Sequence, residues 1–115
     1  MTDKIRVVFV SGAYRSGTEA GVYANIQHAR DVAEELWYRG YIAICPHTNS
    51  AHMGGLIPDA EWLERYLVLL RRCDAVVMLT GWEQSEGARA EYQEARNRGM
   101  TVWFESKELT ERGLK

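Results

Sequence analysis

The residues able to do chemistry gather in three short tracts. The first is SGAYRSG, Ser11 to Gly17. There Arg15 offers a fork of donors suited to a phosphate, and Gly12 lets the backbone approach a ligand closely. The second opens with Pro46 and His47, and the third is TGWEQSEGARAEYQEA, Thr80 to Ala95. Glu91 lies on the same side of its helix as Ala88 and Ala95, which turns a carboxylate towards the sheet. A position in the first turn or so predicts a lowered pKa and an ionised group. An ionised carboxylate facing the sheet needs a partner or a task. Ser85, just ahead of that helix, can cap it, and it can also hold an anion against the unpaired amides. Plainer roles stay open beside these: a solvated loop for Arg15, a capping arrangement for Glu91 and the N-cap for Ser85.

Four strands and their helices must position these tracts. Ile5 to Ser11, IRVVFVS, reads as a buried strand. Gly12 to Gly21 is a loop with three glycines. Val22, Ile26, Ala29, Ala33, Leu36 and Trp37 then mark one face of a helix, and Gly40 suits its C-terminal cap. Tyr41 to Cys45 is a second strand, followed by a long irregular stretch from Pro46 to Asp59. Asp59 is a reasonable N-cap for a helix bearing Trp62, Leu63, Tyr66, Leu67 and Leu70. Asp74 to Leu79 is the third strand, Thr80 to Glu86 a loop, and Gly87 to Arg98 a helix closed by Gly99. Thr101 to Phe104 is the fourth strand, and Ser106 can cap a last turn or two ending near Gly113. Strand and helix alternating in this way predict an α/β fold: a flavodoxin-like, doubly wound three-layer sandwich with a short parallel sheet of four to five strands. Ligands of such folds sit beyond the carboxyl ends of the strands, where the three tracts fall.

Composition narrows the class. A chain of 115 residues fits a single domain, and 46% hydrophobic with 26% charged residues is an ordinary globular balance. A net charge of −2 gives no basic face for duplex nucleic acid. No apolar run approaches a membrane span, the N-terminus has no signal-peptide pattern, and two isolated cysteines, Cys45 and Cys73, do not make a disulfide scaffold. A cytoplasmic setting is the expectation. Neither a Walker A loop nor GxGxxG is present. The spacing of Cys45, His47 and His52 matches no usual zinc site and lacks a fourth ligand, so no metal is expected.

The set SGAYRSG, PH, CDAVVML and GWEQSEGARAE resembles the nucleoside 2-deoxyribosyltransferase superfamily over about residues 5 to 104. It is nearest a short bacterial and phage branch, the DUF4406-like domains. The tract from Cys73 to Ala95 is its most specific part. The superfamily includes the 2′-deoxynucleoside 5′-phosphate N-hydrolases. The resemblance implies Glu91 as a nucleophile at the anomeric carbon and Arg15 and Ser85 as phosphate ligands. It also implies Tyr14 in the sugar pocket, with Gly12 and Gly87 in the binding loops. The reaction would be cleavage or transfer at the N-glycosidic bond of a nucleoside or its 5′-monophosphate, with no cofactor, in a homo-oligomer, most simply a dimer.

The acid that protonates the departing base is open. The related hydrolases carry an Asp eight residues ahead of the third strand's Asp, and here that count from Asp74 reaches Tyr66. Asp59 or Glu61 could supply the acid, or Tyr66 or His47 could donate instead. Alternatively the domain binds a nucleotide without cleaving it, as a sensor. Trp82 could stack on a base or pack its loop. Trp62 and Trp37 read as core or interface residues, and Asp74 as a brace at the helix-to-strand turn. A receiver domain needs paired acids after the first strand, which Val10–Ser11 does not provide. An FMN-binding flavodoxin stays barely open on Tyr14 and Trp82.

Overall fold

The computed structural model describes residues 5–108. Strand β1 (Val7–Ser11) leads into helix α1 (Glu19–Tyr38), and strand β2 (Ile42–Ile44) leads into the short helix α2 (Pro46–Asn49). Then come α3 (Asp59–Leu70), β3 (Ala75–Met78), a 3-10 turn (Trp82–Gln84), α4 (Glu86–Asn97), β4 (Thr101–Phe104) and α5 (Glu105–Glu108). All strand pairs are parallel, in the order β2-β1-β3-β4. This is the flavodoxin-like doubly wound α/β architecture, with four strands.

Alternation along the strands sorts the core into two layers. Val8, Val10, Val77 and Leu79 point one way and pack with Ala29, Val32, Ala33 and Leu36 of α1. Phe9, Val76 and Met78 point the other way, towards Leu70 of α3 and Ala88 and Ala95 of α4. At Asp74 the side chain accepts from the Val7 amide at 2.7 Å while its own amide donates to the Val7 carbonyl at 2.8 Å. Its brace therefore ties β3 to β1 across the sheet rather than holding the turn alone. Gly40 takes φ +99° just after α1, a conformation that suits glycine. Among the described residues no helix is long and apolar enough to cross a membrane.

Several expected boundaries move. Ile5 is 68% exposed and lies outside β1, because sheet pairing begins at Val7 with Ile42. The stretch expected to be irregular after β2 starts with a helical turn, α2, where Pro46 occupies the first helical position. Pro58, not Asp59, is the N-cap of α3, and Asp59 is its first residue. The α4 helix begins at Glu86 and ends at Asn97, each one residue earlier than predicted. Ser106 sits inside α5, and the expected end near Gly113 lies outside the described residues. Trp37 is not in the core. One residue past Leu36, the helix has turned it outward, and it is 56% exposed.

Candidate active site

A cleft of about 740 Å³ opens beyond the carboxyl ends of β1 and β3, the two central strands. The crossovers from these strands leave in opposite directions, and the loops part there to leave a hollow. Val10 is at its floor. The first loop contributes Ala13, Tyr14 and Arg15, and the region of α2 contributes Pro46, His47 and Ser50. Asp59, Trp62, Leu63 and Tyr66 of α3 form one wall, and Ser85, Gly87, Ala90 and Glu91 the wall of α4. A smaller hollow of about 330 Å³ beside Trp82 and Phe104 is flanked by Glu83 and Lys107 and holds no buried polar group. The larger one holds the buried His47 and the half-buried Glu91, so the site is assigned there.

Glu91 is the sixth residue of α4, in the second turn and beyond the reach of the helix pole. Its carboxyl is pushed up to about 7 by burial, and the hydrogen bond from Ser11 pulls only partly the other way. The expected lowering is therefore reversed, because desolvation outweighs a dipole that fades after the first turn. Ser11 Oγ donates to Glu91 Oε1 at 2.6 Å, and Ser11 is fully buried at the end of β1. Oε2 has no hydrogen-bond partner among the described residues. One oxygen is thus fixed and the other is left for the cleft. Sequence reasoning missed Ser11, although a lone hydroxyl closing the strand VVFVS is a signal it could have used.

His47 is 5% exposed, and its Nε2–H donates to the carbonyls of Gly12 and Ala13 at 3.2 and 3.1 Å. Nδ1 is buried with no partner among the described residues. Burial drives the His47 pKa down, although the two carbonyl contacts favour the charged form. A neutral ring clasped to the first loop is a brace and a poor proton donor. Tyr14 lies beside it, with ring centroids 5.9 Å apart.

Tyr66 packs against the core and also lines the cleft. Its ring packs edge-on to Phe9 and stacks on Trp62 at 6.2 Å. Its hydroxyl donates to Ser50 Oγ at 2.8 Å and accepts from Asn49 Nδ2 at 2.9 Å. Trp62 is thereby part of the cleft wall. Asp59 is ion-paired with Arg15 at the mouth, both side chains largely exposed. Glu61 pairs with Arg65 at 3.2 Å and does not line the cleft. Ser85 Oγ accepts from the Ala88 amide at 3.1 Å, which is the capping role, while its side chain also faces the cleft.

Two residues expected to bind substrate fall outside the lining. Trp82 lies at a tilt to Tyr92 and Phe104, with ring centroids 4.6 and 6.2 Å away, as part of the packing on the α4 side of the sheet. Its partners turn it away from the cleft. Gly12 serves packing: a Cβ there would meet Leu79 side-chain atoms at 2.6 to 2.9 Å. It lets the first loop lie against the end of β3. Among the described residues, no group of three or more His, Cys, Asp and Glu is arranged to hold a metal ion.

No curated protein matches the chain. The family described as Domain of unknown function (DUF4406) matches residues 8–104, from the core of β1 to the end of β4, so it takes in every residue of the cleft. On that match, this chain belongs to the DUF4406 family.

Proposed function

We propose that this chain cleaves or transfers at the N-glycosidic bond of a (deoxy)nucleoside or its 5′-monophosphate, with Glu91 as nucleophile. The observation that carries the reading is a half-buried glutamate, held by Ser11 through one oxygen, beside a cleft of about 740 Å³. That volume suits a small-molecule ligand. Tyr14, Trp62 and Tyr66 supply flat apolar surface for a sugar and base. The likeness of the three loop tracts to nucleoside 2-deoxyribosyltransferases points the same way.

In the first step the free carboxylate oxygen attacks C1′ as the C1′–N bond breaks. The bonding electron pair leaves with the base, which takes up a proton, and a glycosyl ester forms on Glu91. In the second step water, or the nitrogen of another base, attacks C1′. The ester C–O bond breaks, the carboxylate is restored and the attacking group gives up its proton. Of the acids considered, Asp59, Tyr66 and His47 line the cleft; His47 is clasped to the first loop, with burial lowering its pKa, which leaves Asp59 and Tyr66 to serve the departing base. Cytoplasmic location and assembly with a second copy belong to the same reading.

A second reading has a specific observation behind it. The Tyr66 hydroxyl is committed to Ser50 and Asn49, and Asp59 is committed to Arg15, so neither stands as a free acid beside Glu91. On that reading the domain binds a nucleotide as a sensor. Incubation with deoxynucleosides and their monophosphates, followed by chromatography for free base, separates the two. Release that disappears in Glu91→Ala supports the enzyme. Thermal stabilisation by a ligand with no release in the wild type supports the sensor.

A further inference from the structure

Each positive feature around the cleft is already met by a carboxylate of this chain. Arg15 is the one cationic side chain lining the cleft among the described residues, since His47 is neutral, and Asp59 is ion-paired with it. The N-terminus of α3 carries Asp59 and Glu61 in its first turn. That of α4 carries Glu86, and its Ala88 amide is taken by Ser85. Both helix poles are therefore offset from within. Arg15 is outnumbered by Asp59 and Glu86, and Glu91 adds partial negative charge. The remaining wall, with Tyr14, Trp62 and Tyr66, carries no charge.

A phosphate group brings about −1.5 to −2 charges at neutral pH. To use Arg15 it must displace Asp59 or sit beside it. The pair is exposed, at 72% and 69%, so displacement is easy, but Asp59 stays on the first turn of α3 at the rim. A like charge within about 4 Å weakens binding by about five- to tenfold even in water. From this charge arrangement we infer that the cleft selects an unphosphorylated ligand, a nucleoside in preference to its 5′-monophosphate, and that Asp59 sets the preference by occupying Arg15. The inference rests on the nucleoside reading above and narrows it. Arg15 then acts as a clasp joining the first loop to α3, residues 44 apart in sequence, and not as a phosphate ligand.

The test is calorimetric titration of each deoxynucleoside and its 5′-monophosphate at low salt. It uses the Glu91→Gln chain, so that ligand is not consumed, with and without Asp59→Asn. The expected result is a nucleoside binding about tenfold or more tighter than its own monophosphate. Adding Asp59→Asn then strengthens monophosphate binding by about fivefold relative to that of the nucleoside. A monophosphate that binds as tightly as its nucleoside while Asp59 is present overturns the inference. So does a ratio unmoved by Asp59→Asn. Silence from every nucleoside and monophosphate alike overturns the nucleoside reading itself, and the selectivity with it.

Discussion

Two glutamates stand near the carboxyl edge of the same sheet, and they are treated in opposite ways. Glu105, just after β4, accepts from the Thr80 amide at 2.8 Å and meets His28 Nε2 with both oxygens at 2.9 and 3.0 Å. Glu91 accepts only from Ser11, and burial raises its pKa to about 7. Glu105 joins α1, the end of β3 and α5 into one unit. Glu91 joins little and faces a cavity. A carboxylate with full partners is a strut. One left with a free oxygen in a desolvated hollow is available for chemistry, and perturbed titration in a cleft is the usual mark of such a group.

The sharpest way to break this comparison is to remove each glutamate in turn. Glu91→Gln should lower base release by about a thousandfold or more, as loss of a nucleophile does. Glu105→Ala should leave base release nearly unchanged and instead destabilise the chain by about 1–3 kcal/mol, because the Thr80 amide loses its partner. Chromatography of free base and denaturant unfolding read the two effects. Equal losses of activity in both variants would dissolve the distinction.

Stability against pH sharpens it further. Folding raises the Glu91 pKa from 4.5 to about 7, so the folded chain holds a proton that the unfolded chain has released in that window. The stabilisation is complete below pH 4.5 and falls as pH rises towards 7, then stays flat. With the cleft admitting water, the fall should be about 2 kcal/mol. His47 contributes the opposite slope, because burial lowers its pKa. The difference between wild type and Glu91→Gln isolates the glutamate, and unfolding curves across pH 4 to 8 would show whether that difference grows with pH, as this account requires.

The smallest expected effect lies at Ser11. Ser11→Ala removes the one bond favouring ionised Glu91, so the carboxyl should titrate about one unit higher. The pH profile of base release, which the ionised form carries, should move alkaline by the same amount. A carbon-detected NMR titration of Glu91 in both chains checks it without any substrate.

The contrast between the two glutamates also marks where the sequence was readable. Strands such as VVFVS and AVVM announce themselves by β-branched runs, and all four appear where their composition puts them. The side of α4 that bears Glu91 follows from its spacing to Ala88 and Ala95, both buried. The sign of the Glu91 shift did not follow, because it is set by tertiary desolvation and by a hydroxyl 80 residues away. Trp82 could not be told from a base-stacking residue until Phe104, from another strand, was seen beside it. Arg15 suggested a phosphate ligand by its type alone; its ion-pair partner Asp59 lies 44 residues on, at the start of α3, after a connection whose path local rules do not fix. Gly12 read as a ligand-facing glycine, yet Leu79 is what it makes room for. In each case a long-range partner decided the role of a locally ambiguous residue.

The claim that Glu91 attacks the sugar is tested most directly by intact-protein and peptide mass spectrometry on wild-type chain quenched with acid during turnover. The account predicts a deoxyribosyl adduct on the peptide containing Glu91, absent from Glu91→Gln. Free base accumulating with no adduct, or an adduct on any other residue, would contradict it.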